Sequence, residues 1–187
     1  RRELALAMAR LLRTRASHEV VDENAAAVAI AERVVGLPGA GPDDRRRLAA
    51  SYADLAYARG VIQADRPAGL AQMEKAFAAL EPMARDDPGD RITREMLAGF
   101  HERASIITEG SSTREDMEKA ADLQALANGI YEGLARDFPA NATYRRSLVR
   151  GYANLASTER LIDRKPQARA NVARSVEVAR ALAAAAP

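Results

Sequence analysis

Two histidines occur in the chain, and glutamate follows each of them: His18-Glu19 and His101-Glu102. A His-Glu pair opens the zinc-peptidase signature, where a second His one helical turn later shares the metal and the Glu serves as general base. Asp22 and Ser105 stand where that second His would be, so neither pair completes the motif. Asp86-Asp87-Pro88-Gly89-Asp90 gathers carboxylates at a turn but lacks the alternating ligand spacing of a calcium loop. Its better use is to stop one helix and cap the next. No Gly-x-x-x-x-Gly-Lys-Ser/Thr phosphate loop occurs, and without cysteine there is no thiolate ligand, thiol nucleophile or disulfide. Arg45-Arg46-Arg47 and Arg145-Arg146 look like basic patches. They fall at expected helix starts, where positive charge opposes the macrodipole, and read best as solvated faces paired with nearby Asp or Glu. Asn141-Ala142-Thr143 is a formal glycosylation sequon and Ser111-Ser112-Thr113 a formal phosphorylation site; turn and loop composition explains both. These residues assemble no catalytic constellation, and we expect no enzyme activity, no metal and no cofactor.

Composition points to what must position such residues. The 187 residues are 48% hydrophobic but only 4% aromatic, with no Trp. An Ala-rich, aromatic-poor chain suits close helix–helix packing and lacks the β-branched and aromatic residues that sheets prefer. The formal charge of +2 carries no argument for nucleic acid, although the pI is near 9.1. No long apolar run offers a bilayer span. Absence of Cys suits either side of a membrane, so the compartment stays open, cytoplasmic or extracytoplasmic. The chain starts Arg1-Arg2-Glu3-Leu4 without Met or signal peptide and stops in an Ala run before Pro187. We therefore expect one module of a longer polypeptide.

Internal repetition decides the architecture. Arg45-Arg46-Arg47-Leu48-Ala49-Ala50-Ser51-Tyr52-Ala53-Asp54-Leu55-Ala56 matches Arg145-Arg146-Ser147-Leu148-Val149-Arg150-Gly151-Tyr152-Ala153-Asn154-Leu155-Ala156. A third copy runs from Thr93 to Ala104. A degraded fourth opens the chain with Leu4, Ala5, Met8, Leu11 and Leu12. Equating Leu4, Leu48, Met96 and Leu148 gives periods of 44, 48 and 52 residues. Steps of three and four within each copy put these residues on one helical face.

Each copy also has a second helix ending at a turn, at Pro88, Pro139 and Pro187, with Gly41-Pro42-Asp43-Asp44 closing the first. Counted back from those prolines, Leu70, Met73, Ala76, Leu80 and Met83 match Ala121, Gln124, Ala127, Tyr131 and Leu134. They also match Arg169, Val172, Ser175, Ala179 and Leu182, where Arg169 is a misfit and Gln124 and Ser175 are imperfect. Pro67 and Pro166 mark starts of second helices, and Ser112 to Glu115 offers a capping box for another. The expectation is one all-α domain of four helix–turn–helix units, near 1–44, 45–90, 91–144 and 145–187, eight helices in all. Stacked units would share a continuous core.

This pattern resembles the tetratricopeptide repeat. Tyr52/Leu55/Ala56 and Tyr152/Leu155/Ala156 match its first helix; Gly69/Met73/Ala76/Pro88 and Ala168/Val172/Ser175/Pro187 match its second. The period exceeds the family's usual length of about 34 residues, because the inter-helix turns and some helices are longer. The Arg-Arg-x-Leu-Ala opening and Asp-Pro-Gly-Asp closing look like long-period arrays attached to bacterial serine/threonine kinases and membrane-anchored transcriptional regulators. The resemblance implies a right-handed superhelical stack with a concave groove lined by the first helices.

In that geometry the groove-facing residues that could grip a ligand are Arg13, Tyr57, His101, Ser105, Arg150, Ser157 and Arg160, with Ala53, Ala98 and Ala153 making room between them. Arg and Tyr are frequent interface anchors, so the expected function is a non-catalytic protein–protein interaction module taking a peptide or helix of acidic character. The alternative is a sensory or regulatory segment of a signalling protein, acting through a small ligand or through self-association as a homodimer.

Overall fold

A computed structural model describes the backbone of residues 2–111 and 113–184 and the side chains of residues 17–111 and 113–184. Among the described residues it is all-α, without strands, and holds seven helices: α1 (Arg2–Val35), α2 (Pro42–Tyr57), α3 (Arg66–Asp86), α4 (Arg91–Glu109), α5 (Arg114–Asp137), α6 (Ala142–Leu161) and α7 (Lys165–Ala184). Seven replaces the expected eight because residues 1–44 do not form a helix–turn–helix. No Gly or Pro interrupts the sequence between Arg2 and Val35, and α1 continues unbroken for 34 residues. It stops at Gly36-Leu37-Pro38-Gly39, where Gly39 takes a φ of 90°.

The chain divides into two compact units, residues 1–80 and 81–187. In the first, Val21 and Val28 of α1 are buried with Tyr52, Leu55 and Ala56 of α2 and Met73, Ala76 and Leu80 of α3. The hydroxyl of Tyr52 donates to Glu32 of α1, and Lys75 of α3 holds its ammonium 5.5 Å from the ring centre. One aromatic side chain thus fastens three helices. The end of α2 widens into a π-helical turn, Ala58–Ile62, and α3 approaches it closely. A Cβ on Gly69 would lie 2.6 Å from the Cα of Gly60, so this crossing requires hydrogen at Gly69.

The second unit contains two helical hairpins, α4–α5 and α6–α7. Asp90 caps α4 by accepting from the amides of Ile92 and Thr93, and Asn141 caps α6 from Thr143. Ser112, expected to cap α5, lies outside the described residues. Thr113 performs that task, accepting from the amide of Asp116 at 3.2 Å. The basic run before Leu48 behaves as a solvated face, with Arg46 and Arg47 reaching Asp43 and Asp44 at 2.6 and 3.5 Å.

Helix α6 lies against the α4–α5 hairpin. Tyr131, Leu134, Tyr144, Leu148 and Ala98 form one buried cluster; Ala121, Leu155 and Ile162 form another. At Gly151 the side chain of Asn128 comes up against the backbone of α6, since a Cβ there would run into its Oδ1. Gln124 donates to that same oxygen at 3.1 Å. A buried amide pair facing a glycine fixes which residue of α6 can sit at this level.

The turn from first to second helix recurs in left-handed form at Ala64 (φ 59°) and Asp163 (φ 65°). Asp tolerates that region through its short polar side chain, whereas Ala gains nothing there. Ala64→Gly should therefore stabilise the protein by about 0.5–1 kcal/mol, read as a higher urea midpoint at unchanged m-value. Three tyrosines give a pH signature. Burial, then hydrogen bonding to Glu32 and Glu132, pushes Tyr52 and Tyr152 from the usual 10.0 up to about 12; burial, then the charge of Glu102, does the same for Tyr131. A raised folded-state pKa keeps its contribution to stability below pH 10 and loses it as pH rises towards 12. Urea midpoints measured across that window should fall steadily, and Tyr152→Phe should make the fall shallower.

Candidate docking face

The charged side chains that join α4 to α6 follow one stripe. Glu95, Glu102 and Glu109 are spaced seven apart on α4 and so share a face. Glu95 accepts from the hydroxyl of Tyr144, and Glu109 accepts from that of Thr158. Glu102 takes the guanidinium of Arg150 at 3.1 Å and the hydroxyl of Tyr131 at 3.4 Å. Across α5, Arg164 lies 3.9 Å from both Glu118 and Asp122. The hairpin presents acceptors, and the helix covering it brings donors.

On the outer side of α6–α7 the arrangement differs. An open cavity of about 640 Å³ runs between the two helices, with Ala153, Ala156 and Ala168 against the apolar Val172 and Val176. Arg160, Lys165 and Arg169 contribute its basic groups, and Ser157 and Ser175 add hydroxyls. Lys165 leans towards Asp163 at 2.8 Å. A second cavity, about 710 Å³, lies between α4 and α5, lined by Leu97, Leu126 and Ile130 with Arg94 and Asp122. Arg94 is bound to Asp137 at 2.6 Å. Among the described residues, no cluster of three His, Asp or Glu side chains could hold a metal ion, and no helix is long and apolar enough to cross a membrane.

The groove residues expected from the sequence separate into several environments. Ser157 and Arg160 come together on the open cavity, with Ala153 beside them. Arg150 is on the same helix but is engaged by Glu102. Ser105 is buried, and its hydroxyl donates to the carbonyl of Ala120 at 2.9 Å, so it joins α4 to α5 and faces no groove. Ala53 and Ala98 are likewise buried. His101 is half-buried; burial lowers its pKa from the usual 6.5, against the raising effect of Glu81. Tyr57 is exposed at the end of α2 in the first unit. The side chain of Arg13 lies outside the described residues.

Sequence reasoning misses Lys165 and Arg169, although the misfit of Arg169 among apolar equivalents is a signal: a charge there marks a face that no described helix covers. No protein-family model, curated protein or solved structure matches this chain.

Because Arg150 holds α6 against α4, its reversal acts on folding. Arg150→Glu sets a carboxylate against the nearly buried Glu102, and chemical denaturation should show a loss of roughly 1 kcal/mol or more. Arg160→Glu, on the open side, should change stability by less than about 0.5 kcal/mol.

Proposed function

We propose that this chain is a non-catalytic protein–protein interaction module, built as a tetratricopeptide-like array of helical hairpins, that takes a peptide or helix of a partner protein. The observation that carries this reading is the open α6–α7 cavity, where exposed valines adjoin Arg160, Lys165 and Arg169. An apolar groove supplies contact area, while charged groups at its margin set orientation and exclude unsuitable partners. Two further features support it. Helices α4–α5 and α6–α7 are successive hairpins with matching sequence faces, as a stacked array requires. Arginine at the margin of an apolar patch is also a common binding anchor. In this reading the working surface is the α6–α7 furrow and not a trough along all the first helices.

Photo-cross-linking tests it in cells that express the protein. A benzophenone amino acid in place of Val172 should yield an adduct of discrete mass with another protein, and the same group in place of exposed Ala170, outside the cavity, should not. Matching adducts at both positions, or none at either, would contradict the assignment.

A further inference from the structure

The covered hairpin and the open one are copies of each other, so the first shows what the second lacks. With the repeat offset of 52 residues between α4 and α6 and 48 between α5 and α7, Ala104, Ser105, Gln124 and Asn128 correspond to Ala156, Ser157, Val172 and Val176. In the α4–α5 hairpin all four are buried, and α6 packs over α5 with its Gly151 against Asn128. Gln124 and Asn128 are 3% and 2% exposed; their counterparts Val172 and Val176 are 52% and 43% exposed. Ala156 stays buried as Ala104 does, but the positions of Ser157, Val172 and Val176 are interior in one copy and open in the other.

Resting on the interaction-module reading above, we infer that this groove receives an amphipathic helix of a partner protein, lying on α6–α7 as α6 lies on α4–α5, with carboxylates along its flanks. The floor has changed from amides to valines, so the incoming face must be aliphatic. The margin has changed sign. Where Glu102 and Glu109 receive Arg150 and Thr158, the α6 equivalents are Asn154 and Leu161, which carry no charge. Thr108, Met117 and Ala121 give way to Arg160, Lys165 and Arg169. Among the described residues, Arg160 and Arg169 pair with no carboxylate. A helix resembling α6, with its own arginines, would meet like charge there, whereas one with Glu at its flanks meets complementary charge. Like charge also disfavours a second copy of this chain: a two-fold interface through this face would set the patch that holds Arg160, Lys165 and Arg169 against its own copy.

Two synthetic helices, each of α6's 20 residues extended by the place of its C-cap Ile162, provide the test. Both carry Leu at the places of Leu148, Leu155 and Ile162 and Ala at that of Gly151; one has Glu at the flanks and the other Lys. Fluorescence anisotropy should show the Glu helix binding about tenfold or more tighter than the Lys helix, with the gap closing in high salt. The double substitution Arg160→Glu/Arg169→Glu should invert the preference. Val172→Asp should abolish binding of the Glu helix while leaving the thermal melting midpoint in place, because that side chain is half outside the core. Equal affinity for the two helices, binding of neither, or indifference to Val172→Asp would overturn the inference. So would a dimer in sedimentation equilibrium that Val172→Asp dissolves. If neither helix binds while cross-links at Val172 still capture a protein, the module reading survives and the acidic helix does not.

Discussion

Packing of α6 into the α4–α5 hairpin is the interaction on which the second unit depends. Two antiparallel helices bury the seam between them but leave a furrow on either side, and Ala-rich helices leave that furrow shallow and apolar. Leu155 and Ile162 fill it beside Ala121, while Tyr144 and Leu148 close it beside Tyr131 and Leu134. Around this apolar contact, Glu95, Glu102 and Glu109 collect hydroxyls and a guanidinium from their neighbours. Such exposed or half-exposed pairs contribute little energy individually. Their value is in register, because a shift of α6 by one residue would misplace every donor and push a side chain into the space kept by Gly151.

The α6–α7 hairpin has the same kind of furrow, and no described helix fills it. Its floor is lined by exposed Val172 and Val176, and its margin carries arginines where the covered hairpin has neutral residues. Isolated exposed valines are ordinary on protein surfaces. Two valines one helical turn apart, together with alanines across the cavity and three basic side chains, form a surface with orientation and sign. The proposed function follows from that surface, which differs from its buried copy in the residues that would decide a partner.

The sequence made the hairpins of the second unit legible because their signals were redundant: spacing of three and four, a proline at each end, and Asp90 or Asn141 ready to cap. The first repeat misled because Leu4, Met8, Leu11 and Leu12 fit a helical face without saying where the helix ends; only the lack of Gly or Pro before Gly36 does so. Ser105 was misplaced because a helical wheel assigns a face but not its neighbour, and the neighbour is the backbone of Ala120. Arg169 is missed for the opposite reason. Measured against an apolar consensus it is a defect, whereas its meaning appears once the equivalent Ala121 is seen covered and Arg169 is not.

Amide hydrogen exchange along α5 and α7 compares a covered helix with an open one, since the two are repeat equivalents that differ in this respect. The account predicts slow exchange through the middle of α5 and much faster exchange through the matching turns of α7 in the free protein, with protection of α7 rising to that of α5 when a flanking-acidic helix is added. Equal protection of both helices in the free protein, or protection gained away from α6 and α7, would contradict it.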